Sequence, residues 1–258
     1  MRRAPSRSRL ADCQMRDSSV FVYNNAMCGR FTLRTAPAEL VEIFRLLQKP
    51  ELAPRYNIAP TQNVAVVRDA EGVARELTAM HWGLIPSWSK DPKMGARLIN
   101  ARAETVADKP SFRTAFKRRR CLIPADGFYE WAKTGGKAKQ PLLIGLKDGS
   151  PFAFAGLWEH WESQGKDAID SCTIITTEAN ELLQSVHDRM PVILPEEQYD
   201  AWLDPDNDDR DGLLELLVPY PADEMGFQPV GTAVNNPRND SPECVEPLPN
   251  SNSLFPLP

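Results

Sequence analysis

Nowhere does the chain carry the roughly 18–20 consecutive apolar residues that a bilayer-spanning helix needs, and its mean hydropathy is −0.41. A soluble protein with no membrane partner is expected. Histidine is scarce, with only His81, His160 and His187 far apart in the sequence. The five cysteines (Cys13, Cys28, Cys121, Cys172, Cys244) include no C-x-x-C pair. Zinc sites draw on clustered Cys and His at short spacings, so no metal is expected. An odd cysteine count without the apolar core of a secretory signal favours a reducing compartment over a disulfide framework. The expected location is therefore the cytoplasm. Internal repeats and low-complexity linkers are also missing after Cys28.

Proline is abundant, at 23 of 258 residues, roughly twice the usual share of about 5 %. That argues against long helical bundles and coiled coils. Apolar periodicity predicts a helix over 36–48, with Leu40, Ile43, Phe44 and Leu47 on one face and Thr35 as N-cap. Short helices are expected over 179–186 and, led by Pro195, over 196–203. Strand-like runs cover 63–67, 142–146, 152–157 and 172–177. Strands and helices do not alternate regularly, so the expected fold is α+β, one domain over 28–240 with a mixed, barrel-like β-sheet core and flanking short helices. The Pro-, Asn- and Ser-rich residues 241–258 read as a loosely ordered tail.

Net charge is −5, but residues 1–27 hold five arginines against two aspartates, which leaves −8 for the rest. Any nucleic-acid contact would have to use a local groove and not the whole surface. Residues 1–27 read as a disordered extension or as a gene-start error, with Met27 as the true initiator.

Several segments place polar residues where packing alone would not ask for them. In Met27-Cys28-Gly29-Arg30-Phe31, initiator removal would leave Cys28 with a free amine beside its thiol; the alternative is a small buried hydrophobe. In Gly127-Phe128-Tyr129-Glu130-Trp131, strand alternation puts Tyr129 and Trp131 on one face and Glu130 with Phe128 on the other. A carboxyl group among aromatics suits general acid–base work, although an outward-facing glutamate fits as well. In His187-Asp188-Arg189-Met190-Pro191 the histidine is either a proton shuttle or a cation at a helix C-terminus. Asn100 and Arg102, in Asn100-Ala101-Arg102-Ala103-Glu104-Thr105, offer an amide and a guanidinium at a strand end, or else a loop cap and an ion pair. Trp82-Gly83-Leu84-Ile85-Pro86-Ser87-Trp88 sets two indoles around a turn. Exposed indoles stack on unpaired bases, and buried ones belong to a core. Lys117 to Arg120 read as a solvated basic turn.

Together with Arg55-Tyr56-Asn57-Ile58-Ala59-Pro60, and in this order, the Cys28, Trp82, Asn100, Glu130 and His187 motifs resemble the SOS response-associated peptidase (SRAP) family over about residues 27 to 240. The resemblance implies a protein that recognises abasic sites in single-stranded DNA and attaches to them covalently, through a thiazolidine at Cys28. It implies catalytic roles for Cys28, Asn100, Glu130 and His187, and a DNA groove lined by Arg30, Asn57, Pro60, Trp88, Arg102, Thr176 and Arg189. No metal or organic cofactor is implied; the expected form is a monomer, nucleoid-associated when bound to DNA. A thiol peptidase or autopeptidase using Cys28 is the alternative reading, with lyase activity also open. A non-catalytic reader of modified DNA is a third. One departure stands out: 27 residues precede Cys28, whereas the chemistry requires cysteine at the mature N-terminus. Either Met27 is the start, or the extension is removed by proteolysis, or the activity is lost; the expectation is a native chain that starts at Cys28.

Overall fold

The computed structural model describes residues 29–70, 74–136, 138–165 and 167–249; the expectations for residues 1–27 and for Cys28 fall outside them. Thirteen strands lie in the described chain: β1 (Phe31–Leu33), β2 (Arg55–Ile58), β3 (Asn63–Ala70), β4 (Ala74–Trp82), β5 (Asn100–Arg102), β6 (Arg120–Ala125), β7 (Gly127–Lys133), β8 (Lys139–Leu146), β9 (Phe152–Trp161), β10 (Ile169–Glu178), β11 (Arg189–Pro191), β12 (Ile193–Leu194) and β13 (Met225–Pro229). The α-helices are short: α1 (Pro37–Phe44), α2 (Arg113–Arg118), α3 (Tyr199–Leu203) and α4 (Arg210–Glu215).

Strands β10, β4, β3, β6 and β9 pair in that order, and β9 pairs back onto β10, which closes a five-stranded barrel. The β10–β4 contact is parallel, with Cys172 opposite Trp82, and the remaining contacts are antiparallel. This is the mixed, barrel-like core that the sequence implied. Every residue of β6 is buried, as expected of a strand covered on both faces. On its outer side, Trp202 of α3 donates its indole N–H to Cys121 O at 2.9 Å.

A second sheet, in the order β13-β8-β7-β1-β2, packs on the barrel through aromatic side chains. The Phe31 ring meets Phe154 at 5.7 Å and Trp82 at 5.2 Å, and Phe128 meets Phe154 at 6.1 Å, each edge to face. Such pairs add about 0.5–1.5 kcal/mol each beyond area burial, so Phe31 and Phe128 fix how the two sheets sit.

Strand β10 outruns the barrel. Its first part has β9 on one flank and β4 on the other; its last residues have β11 and β5 in their place. Arg102 is opposite Thr176, and Arg189 opposite Glu178. The two polar motifs around Asn100 and His187 thus flank one protruding strand.

Several local expectations are corrected. Helix α1 stops at Phe44 because Arg45 turns left-handed at φ 50°, so Leu47 leaves the apolar stripe and is 67 % exposed. Ala36 is the N-cap, while the Thr35 hydroxyl donates to Asp126 instead. Residues 181–186 form turns and no helix, held by the Asn180 side chain accepting from Leu183 N at 3.1 Å; asparagine competes with helix in this way. Arg120 is not solvated. It is buried and donates to the carbonyls of Phe116, Lys117, Trp202, Asp204 and Asn207, tying α2 to the chain after α3. Residues 241–249 pack against the second sheet. Cys244 is buried, Leu248 N donates to Pro229 O at 3.0 Å, and Gln228 donates to Val245 O at 3.0 Å.

Candidate functional site

Strand β1 brings the start of the described chain alongside β7. Phe31 is opposite Phe128, and Tyr129 N donates to Arg30 O at 3.0 Å. Glu130 therefore follows the residue that anchors Arg30. It is 7 % exposed and lies opposite Leu142 of β8. Alternation sorts its neighbours: Phe128 belongs to the main core, and Tyr129 and Trp131 to a smaller cluster with Val230, Val234 and Cys244. Glu130 takes the Phe128 side, as a period of two requires.

Arg30 is held by the C-terminal part of the chain. Its Nη1 donates to Asn57 Oδ1 at 2.9 Å and to Val234 O at 2.6 Å, and its guanidinium lies 5.8 Å from the Trp131 ring centre. Burial draws its pKa below the ordinary arginine value. Asn57 is fully buried, and its amide nitrogen donates to the carbonyls of Val234, Asn236 and Asn239. Its backbone N–H donates to Asp240 Oδ1 at 3.0 Å, and Asp240 also pairs with Arg55. Asn57 is thus a bracket that positions Arg30. Tyr129 is buried beside it, donates to Tyr56 O at 2.7 Å, and has its pKa pushed far up by that burial.

The second group gathers around the protruding end of β10. Asn100 is half-buried on β5 and Arg102 is exposed. The preceding Ile99 O accepts from the Trp82 indole at 2.9 Å, so the contact chain Phe31–Trp82–Ile99 ties this group to the Arg30 strand. Thr176 is fully buried and donates to Ala101 O at 3.3 Å, so it braces β5. Arg189 has a side chain only 12 % exposed. Its two terminal nitrogens donate to the two carboxylate oxygens of Glu104, and Nη2 also donates to Thr176 O at 2.6 Å. The Arg189 hydrogen bond lowers the Glu104 pKa, against an opposing effect of burial. His187 is half-buried and follows the turns at 181–186. Its Nδ1 is 3.1 Å from Arg189 N and 2.9 Å from Asp188 Oδ1.

The two tryptophans of the 82–88 segment part company: Trp82 is a core residue, whereas Trp88 is 58 % exposed. The loop that carries Trp88 is seated by a close backbone approach. Gly83 has φ +141°, and a Cβ there would lie 2.7 Å from Gly95 O. Ser89 N donates to Pro86 O at 2.8 Å, and Ser89 O accepts from the Trp161 indole at 2.7 Å. Pro60 is half-buried in the turn between β2 and β3, before Thr61 at φ 69°.

The structure thus joins Arg30 and Asn57 into one cluster, and Arg102, Thr176, His187 and Arg189 into another around β10. Sequence reasoning missed Glu104, although it stands inside a motif already singled out, because nothing in the sequence pairs it with Arg189. It also missed the bracket made by residues 234–240, whose signal was the Asn-rich run Asn235-Asn236-Pro237-Arg238-Asn239-Asp240. Among the described residues, no group of His, Cys, Asp or Glu converges to hold a metal ion. No helix among them is long and apolar enough to cross a membrane.

A family profile described as SOS response associated peptidase (SRAP) matches residues 27–237. The chain is 48 % identical over 223 residues to the abasic site processing protein YoqW of Bacillus subtilis strain 168, covering 85 % of this chain and 99 % of that protein. It is 32 % identical over 263 residues to the abasic site processing protein HMCES of Xenopus tropicalis, covering 85 % and 78 %. A solved Bacteroides thetaiotaomicron protein is similar in fold at TM-score 0.77 and 24 % identity, over 85 % of this chain and 99 % of that one. A Bordetella bronchiseptica protein gives TM-score 0.69 at 29 % identity, over 79 % and 100 %.

Proposed function

The chain belongs to the SOS response-associated peptidase family, and from that premise we propose that it processes abasic sites in single-stranded DNA by forming a covalent thiazolidine through Cys28. The observation that carries the reading is the placement of Glu130. This buried carboxyl group stands on β7 one residue beyond the pairing partner of Arg30, and only Gly29 separates Arg30 from Cys28. The described chain thus starts alongside the strand that carries Glu130, and Cys28 is the next residue before it in sequence.

An opened abasic site presents an aldehyde. The α-amine of Cys28 adds to its carbon, loss of water leaves an imine, and the thiol then adds across the imine to close a five-membered ring. The net change is one water lost. An α-amine of pKa near 8 is about one-tenth neutral at pH 7, against less than about a thousandth of a lysine at 10.4, so lysine is the poorer competitor. Glu130 would move the proton during amine attack and water loss, and His187 would protonate the sugar ring oxygen to open it. Asn100 offers neutral hydrogen bonds to amine or sugar. Exposed Trp88 supplies a stacking face, and exposed Arg102 a cation for phosphate. Asn57 and Thr176 serve this reading as supports for their neighbours.

Intact-mass measurement tests it. A chain beginning at Cys28, mixed with abasic single-stranded oligonucleotide, should give a one-to-one species at the summed mass less one water, mapped by digestion to the Cys28 peptide. Peptide cleavage in trans without such a species would favour the thiol peptidase.

A further inference from the structure

The brace across β10 involves a residue that none of the assigned roles includes. Glu104 lies just past β5 and Arg189 opens β11, so the end of β10 runs between them. The Arg189 guanidinium reaches over Thr176 to grip both Glu104 oxygens, with Nη2 to Oε2 at 3.0 Å. A bidentate arginine–carboxylate pair fixes orientation as well as distance. The backbone N–H of Arg189 meanwhile donates to His187 Nδ1 at 3.1 Å.

That hydrogen bond bears on the chemistry of the imidazole. A ring nitrogen that accepts a hydrogen bond carries no proton, so neutral His187 bonded in this way is protonated on Nε2. A competitor is present: Asp188 Oδ1 lies 2.9 Å from the same Nδ1 and favours a proton there. The Asp188 side chain is 89 % exposed, so water screens its pull. The Arg189 N–H is fixed by β-pairing to Glu178 and by the grip on Glu104.

We propose that Glu104 is a positioning residue for His187: by clamping Arg189 it holds the backbone N–H that selects the Nε2–H tautomer. In the covalent reading above, on which this last step rests, Nε2–H is then the hydrogen-bond donor presented to the abasic sugar. The tautomer itself is a property of the protein without DNA.

The test is nitrogen-15 NMR of the histidine rings in the full chain, at a pH well above the histidine range. His187 should show a protonated Nε2 and an unprotonated Nδ1. In Glu104→Gln the side-chain nitrogen can only donate, so the two-oxygen grip is lost, and the two resonances should move towards each other as Nδ1–H becomes populated. Adding Asp188→Ala should restore the original pattern, since the competing acceptor is gone. A second readout uses the chain with a free Cys28 amine. Glu104→Gln should slow adduct formation roughly tenfold to a hundredfold, the scale of a misplaced catalytic group, with affinity for undamaged single-stranded DNA held within about twofold. An unchanged His187 spectrum in Glu104→Gln, or Nδ1–H in the parent protein, would overturn the proposal. If no variant forms an adduct, the covalent reading fails, and the NMR result still decides the role of Glu104.

Discussion

At the scale of the residue, burial separates the polar side chains that can act on a ligand from those that hold others in place. Asn57 and Thr176 are fully enclosed, and the hydrogen bonds their side chains donate go to backbone carbonyls. Trp88 and Arg102 face solvent. Glu130 is a different case, a carboxyl group enclosed by a strand that otherwise buries aromatics. Replacing it by glutamine keeps its size and removes its ability to exchange a proton. Glu130→Gln should therefore slow adduct formation by about 10²–10⁴-fold, the usual contribution of a general acid or base. Affinity for undamaged single-stranded DNA should stay within a few-fold. Rapid-quench sampling on denaturing gels measures the first and fluorescence anisotropy the second; an unchanged crosslinking rate would remove Glu130 from the chemistry.

At the scale of the element, the turn after β4 shows how backbone geometry presents a side chain. Gly83 combines a positive φ with a carbonyl 2.7 Å from where a Cβ would stand, and the Trp88 loop begins there. Gly83→Ala should lower stability by about 1–3 kcal/mol, the cost of a side chain in a backbone region closed to it. It should also weaken single-stranded DNA binding by displacing Trp88. Thermal denaturation and binding isotherms check both, and an unchanged Tm would show that the loop adapts. Elements of this size were only partly legible in the sequence. Strands over 63–67, 142–146, 152–157 and 172–177 were found because short apolar runs mark them, and each proved longer than its apolar core. The helix expected over 179–186 failed because its pattern is apolar enough, while Asn180 caps a turn with its own side chain. The fates of Leu47 and Arg120 were hidden for a related reason: a left-handed residue and a set of distant carbonyls are tertiary facts. The parallel β10–β4 contact that makes the barrel mixed joins residues some ninety positions apart, and no local pattern announces it.

At the scale of the whole molecule, a closed barrel supplies a rigid frame from which β10 projects between the Asn100 and His187 motifs, and a second sheet brings the start of the described chain beside Glu130. Charge sets the other expectation. Residues 28–258 carry −8, so DNA affinity must come from a few local cations with stacking on exposed bases. Binding should prefer single strands over intact duplex and fall as salt rises, with a slope reflecting few phosphates, near −0.7 per phosphate neutralised. Equal affinity for duplex, or no salt slope, would count against a groove of this kind. The central claim concerns the nitrogen of Cys28. With residues 1–27 attached that nitrogen is an amide, its lone pair is delocalised into the carbonyl, and it cannot form an imine. The most direct measurement is a denaturing gel of abasic single-stranded oligonucleotide with two preparations whose N-termini are verified by mass. The chain starting at Cys28 should give a stable shifted band and residues 1–258 none; a stable band from verified 1–258 would contradict the account and place the nucleophile elsewhere.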